Sequence, residues 1–172
     1  KTHFGDSRSN IGSRAGKKTS KSQNPPWNKS LPQMSLTTTT KKAMMTMTLK
    51  RQNALNALNL ELLRAIQQQV QLFAQTPTLN LAILTATRGD RAFCAGGDVK
   101  QVMLAAKKAP DTDHTLPDAF FREEYALNAQ IAALKKPLLS VWDGIVMGGG
   151  AGLMQAGSHA LVTDKTRFAM PE

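Results

Sequence analysis

The sequence predicts an α/β fold in which short buried strands alternate with amphipathic helices. Apolar runs of strand length recur at Asn80–Thr87, Pro137–Val141 and Ala160–Thr163. Two longer segments, Asn59–Gln75 and Ala119–Leu134, bring their apolar residues back at helical intervals. Strands separated by helices are joined by crossovers, which is the plan of a parallel sheet covered by helices.

Each element follows from its residues. Ser35–Thr40 and Ala43–Leu49 are rich in Thr, Met and Leu around Lys41-Lys42, a hairpin pattern. Within Asn59–Gln75, Leu63, Ile66, Val70 and Phe73 fall three or four residues apart, with Gln67, Gln68 and Gln71 between them. That spacing makes one apolar helix face, with Asn56 or Asn59 able to cap its start. Asn80–Thr87 suits a strand buried on both faces. A helix is expected from Asp98 to about Lys108, then a loop over Asp111–Pro117. The helix Ala119–Leu134 offers Phe120, Ala126, Leu127, Ile131 and Leu134 to a core.

The formal charge of +10 is distributed unevenly. Residues 1–51 hold 11 Lys+Arg against one acid, whereas 52–172 hold 11 of each. The folded part is therefore neutral, and charge gives no case for nucleic-acid binding by it. Residues 1–33, dominated by Ser, Lys, Asn and Gly, read as a disordered basic leader. A mitochondrial presequence, a nucleic-acid-contacting arm and an incidental extension all fit that composition. The single cysteine, Cys94, excludes an internal disulfide. No stretch approaches the roughly 20 apolar residues that span a bilayer, so no membrane partner is expected. His114 and His159 show no metal-ligand spacing, and no metal site is expected.

The chemistry concentrates in two glycine-rich stretches. After the strand ending near Val141, a turn at Asp143-Gly144 leads to Gly148, Gly149 and Gly150 and then to residues of helical composition. Glycines let backbone approach a ligand, and the first N–H groups of a helix lack partners within it. Such donors suit an oxygen that becomes negative during reaction. The alternative is a tight, close-packed strand-to-helix turn. The second stretch is Arg91–Val99, containing Cys94-Ala95-Gly96-Gly97-Asp98. Cys94 has no His placed to activate it and reads as a small buried side chain.

Phe93-Cys94-Ala95-Gly96-Gly97-Asp98, Met147-Gly148-Gly149-Gly150 and Phe168-Ala169-Met170-Pro171-Glu172, in that order, resemble the crotonase (enoyl-CoA hydratase/isomerase) superfamily. Leu55-Asn56-Ala57-Leu58 adds its opening motif, and the likeness runs from about Ala43 to Glu172. The resemblance implies a spiral of β-β-α units over 34–172, truncated at the C-terminus before the family's later helices. It implies an acyl-CoA thioester substrate whose oxyanion is held by the backbone N–H groups of Ala95 and Gly149, flanked by Gly96, Gly97, Asp98 and Gly148. Coenzyme A then belongs to the substrate, and no separate cofactor is expected. Arg51, Leu55 and Ala57 are implied near the CoA moiety, although Lys50-Arg51-Gln52 departs from the family's Asn-Arg-Pro.

Within the family, hydratases carry a glutamate two residues after the glycine triplet, where this chain has Gly152. The pattern is instead that of the branch hydrolysing short branched 3-hydroxyacyl-CoA thioesters in valine catabolism, a mitochondrial setting. In that branch Glu172 is implied as the catalytic acid and Glu124 as a contact to the polar acyl end, with Glu123 an equal rival by composition. The complete protein is expected to be a homo-oligomer, commonly a trimer. A non-catalytic relative in mitochondrial ribosomes, with the leader as an RNA-binding arm, and another hydratase or isomerase activity are the alternatives.

Overall fold

The computed structural model describes residues 35–108 and 115–170. The expectations for the basic leader and for Glu172 fall outside the described residues.

The chain opens with a hairpin. Strand β1 (Leu36–Lys41) pairs antiparallel with β2 (Met44–Leu49), Leu36 opposite Leu49 and Lys41 opposite Met44. Two residues remain for the turn, and Lys42 takes φ 54°. Along β2, Met45, Met47 and Leu49 are fully buried while the residues between them are only partly covered, the alternation a pleated strand imposes.

Helix α1 (Leu60–Gln75) buries Leu62, Leu63, Ile66, Val70 and Phe73. Of the two candidate caps, Asn59 serves: its Oδ1 accepts from Leu62 N at 2.9 Å. At the other end Lys136 Nζ donates to the carbonyls of Phe73 and Thr76 and lies 4.5 Å from the Phe73 ring centroid. A cation there satisfies carbonyls that the helix leaves open.

Strands β3 (Leu81–Ala86) and β4 (Ala92–Cys94) come next, then helices α2 (Val99–Lys108) and α3 (Thr115–Ala132). Strands β5 (Leu138–Trp142) and β6 (Ile145–Met147), the short helix α4 (Gly149–Gln155), and strands β7 (His159–Val162) and β8 (Arg167–Ala169) complete the order. The larger sheet runs β1-β2-β3-β5-β7, parallel from β2 onward, and β4-β6-β8 form a second, parallel sheet. Each of β3, β5 and β7 thus turns a corner into a short strand of the second sheet, giving the β-β-α repeat expected from the resemblance. The corners stack: Ile145 N donates to Arg91 O at 3.1 Å, and Arg167 N to Gly144 O at 2.9 Å. Gly144 sits at φ 87°, where a Cβ would lie 2.5 Å from Arg91 O, so only glycine allows this stacking. Among the described residues no helix is long and apolar enough to cross a membrane.

The structure corrects two readings of α3. Thr115–Pro117, expected as loop, form its first turn, where the missing N–H of Pro117 costs no intrahelical bond. Its buried residues are Phe120, Glu124, Leu127 and Ile131, with Ala126 exposed. Ala126 lies about 100° around the helix from Leu127, off that stripe, and a carboxylate occupies the buried position instead.

Candidate active site

Three segments converge on one cavity of about 540 Å³, lined among others by Ala95, Gly96 and Gly97, by Gly148, Gly149 and Gly152, and by Glu124 and Asn128. Phe120, Phe121, Tyr125, Met147 and Met170 supply apolar wall. The site residues expected in the two glycine stretches are therefore brought together, apart from Asp98.

The three consecutive glycines answer three separate demands. Gly148 adopts φ 46° at the end of β6. A Cβ on Gly149 would overlap Glu124 Oε1 and stand 3.2 Å from its carboxyl carbon. A Cβ on Gly150 would lie 2.6 Å from Cys94 O and 2.7 Å from its Sγ. Gly149 N begins α4 and finds no acceptor among the described residues. With seven residues, α4 adds little dipole, so this N–H acts chiefly as a single oriented donor. The Ala95 N–H is already engaged, donating to Leu55 O at 3.1 Å.

That bond is one stitch in a seam between the Arg51–Leu58 and Ala95–Asp98 segments. Leu58 N donates to Gly96 O and Asp98 N to Leu58 O, both at 2.7 Å. Arg51 clasps the seam: Nη1 donates to Ala57 O, and Nη2 meets Asp98 Oδ2 at 3.0 Å. Asp98 Oδ1 also accepts from Gln101 N at 3.3 Å, at the start of α2. Arg51, Ala57 and Asp98 stand outside the cavity lining, and Leu55 lines a separate hollow of about 370 Å³ with Gln52, Asn53 and Arg91. Asn56 is wholly buried at φ 54°; its side chain accepts from Arg51 N at 2.7 Å and donates to Ala92 O at 2.9 Å. It braces the seam and does not cap α1.

The two neighbouring glutamates part company. Glu123 points to solvent, receiving Arg64 Nε at 2.7 Å and Nη2 at 2.6 Å, and hydrogen bonding to that guanidinium lowers its pKa. Glu124 is 7% exposed and faces the cavity, and burial raises its pKa. Composition could not separate them; helix phase does. Burial also pushes the Cys94 thiol up to about 12, which keeps it protonated and unreactive. His159 is exposed, with Nδ1 3.0 Å from Ser158 Oγ. Asn128 went unnoticed in the sequence, although its place four residues after Glu124 sets it on the same helix face.

Parallel strands that turn corners into a second sheet, with two glycine-rich turns meeting at one cavity, define the architecture, and comparison with known proteins places it: residues 44–172 match the Enoyl-CoA hydratase/isomerase family, to which the chain belongs. A 3-hydroxyisobutyryl-CoA hydrolase, mitochondrial, from Xenopus laevis is 47% identical over 125 residues, covering 73% of this chain and 31% of that protein. The chain thus spans about a third of the length of the curated relatives it matches. Among solved structures, a carnitinyl-CoA dehydratase from Mycobacterium thermoresistibile superposes with TM-score 0.75 at 34% identity, over 81% of this chain and 40% of that one. An enoyl-CoA hydratase from Rhodobacter sphaeroides gives 0.73 at 33% identity, over 80% and 40%.

Proposed function

We propose that the protein to which this chain contributes hydrolyses a short branched 3-hydroxyacyl-CoA thioester of the 3-hydroxyisobutyryl-CoA type, the substrate of mitochondrial valine catabolism. The observation that carries the reading is the convergence of the open Gly149 N–H, the Ala95–Gly97 backbone and buried Glu124 on one cavity with an apolar wall. The names of the relatives support the substrate and a mitochondrial location.

In this reading the thioester oxygen lies against Gly149 N. The Ala95 N–H, expected as the second donor, is committed to Leu55 O at 3.1 Å, so Gly149 N is the donor on which this reading relies. Each such donor is worth about 3 kcal/mol of transition-state stabilisation. Glu124, favoured in its neutral form by burial, hydrogen-bonds the polar end of the acyl group. Glu172 activates water or carries the acyl group; in sum, water adds its oxygen to the carbonyl carbon, the C–S bond breaks, and the CoA sulfur leaves as a thiol. Gly152 leaves no acid where a hydratase would need one, which disfavours reversible water addition. A homo-oligomeric complete protein completes the proposal.

The test is release of CoA thiol from 3-hydroxyisobutyryl-CoA by the full-length protein. Glu172→Gln is expected to abolish release and to spare CoA-ester binding. Undiminished turnover in that variant, or no hydrolysis by the unaltered protein, refutes the proposal.

A further inference from the structure

Asn128 takes no part in the scheme above. It sits on α3 one turn beyond Glu124, lines the same cavity, and its Oδ1 is buried with no hydrogen-bond partner among the described residues. A buried acceptor without a donor is costly, about 1–3 kcal/mol, and the exceptions in folded proteins call for a specific explanation. Helix α4 passes close to the amide. A Cβ on Gly152 would stand 3.5 Å from Asn128 Nδ2, in van der Waals contact, so any longer side chain there would compete for the space in front of the amide.

We propose that Asn128 is a specificity-determining residue that hydrogen-bonds a hydroxyl on the acyl group, beside Glu124. The inference rests on the thioesterase reading for the identity of the ligand, and on the orphaned amide for the place where its hydroxyl docks. A hydroxyl fits this group better than a methyl or a carboxylate. It both donates and accepts, so it pairs with Oδ1 and equally with Nδ2 if the amide turns over. A methyl would leave Oδ1 unsatisfied, and a carboxylate would carry its charge into the pocket beside buried Glu124 and offer Oδ1 no proton. A site built around a polar group discriminates against the analogue that lacks it, because its own buried atoms are then left unpaired.

The test compares 3-hydroxyisobutyryl-CoA with isobutyryl-CoA, which differ by one hydroxyl. Affinities are measured by titration calorimetry on full-length protein carrying Glu172→Gln, so that the esters persist, and as kcat/KM on the protein with Glu172 intact. The hydroxylated ester is expected to be preferred, and Asn128→Leu is expected to shrink that preference by roughly 10- to 100-fold. The thermal midpoint of Asn128→Leu is expected at or above that of the unaltered protein, since the orphaned acceptor is gone. If leucine does not fit, Asn128→Ala reads the same ratio. A preference that survives either folded variant overturns the inference, as does equal affinity for the two esters in the unaltered protein. Preferred binding without any thiol release refutes the thioesterase reading and leaves the hydroxyl contact standing.

Discussion

Replacing each of two adjacent glycines by alanine should produce opposite phenotypes, because different kinds of atoms stand in front of them. At Gly149 the added methyl meets Glu124 Oε1, the far end of a flexible side chain, and next the carboxyl carbon at 3.2 Å and Leu58 Cδ1 at 3.3 Å. The carboxylate can swing aside. Overpacking that a flexible side chain can relieve costs about 1 kcal/mol, the low end of the usual range, and up to about 1 kcal/mol returns from replacing glycine in a helix. The expected change in melting temperature is within about 3 °C. Activity should nonetheless fall about 100-fold, since Glu124 leaves its place and small displacements of positioned groups carry penalties of that size. At Gly150 the methyl meets Cys94 O at 2.6 Å, Sγ at 2.7 Å and Cβ at 2.8 Å, all on the buried strand β4. Nothing there can rotate away. A cost of about 3 kcal/mol, less about 1 for helix propensity, lowers the melting temperature by roughly 4–8 °C. Circular-dichroism melts and thioester hydrolysis on the two variants decide the matter. A Gly149→Ala protein with activity within threefold of the original, or a Gly150→Ala protein equally stable, would refute the packing argument.

Glu124→Gln should stabilise the protein at neutral pH while impairing hydrolysis. Its carboxyl pKa is raised from the usual 4.5 by burial, so ionisation is disfavoured in the folded state. That group therefore destabilises the fold as pH rises through its folded value and has no such effect below the unfolded value. The melting-temperature advantage of the glutamine variant should grow from pH 4 to pH 7; an advantage independent of pH would contradict the assignment. Asn56→Ala removes a buried side chain that bonds Arg51 N and Ala92 O and holds φ 54°, a region alanine enters reluctantly. A loss of about 3 kcal/mol in denaturant unfolding is expected; a loss under 1 would show the seam to be dispensable.

What the sequence disclosed depended on how many residues spoke for each feature. In α1, four apolar residues at helical intervals identified both the helix and its buried face. The strands β4, β6 and β8 have three residues each, too few for alternation to appear, and only the family resemblance anticipated the second sheet. The α3 stripe was misjudged at two positions: Ala126 is exposed, and Glu124 is buried although a buried carboxylate contradicts the pattern by which core faces are found. That same contradiction marks the position to which the proposed function gives the acyl contact. The engagement of Ala95 N by Leu55 O could not be foreseen, since it depends on two segments forty residues apart meeting in register.

The Arg51–Asp98 clasp has a bearing on how the pocket comes into being. Its two sides are separated by a hairpin exit, a long helix and two strands, so the wall holding Ala95 and Gly96 is drawn tight only when all of these have docked. A ligand gripping that wall therefore senses the assembled domain and not a local loop. Ester binding would raise the stability of the whole unit by mass action, and loosening the guanidinium grip would register first as weaker ligand retention.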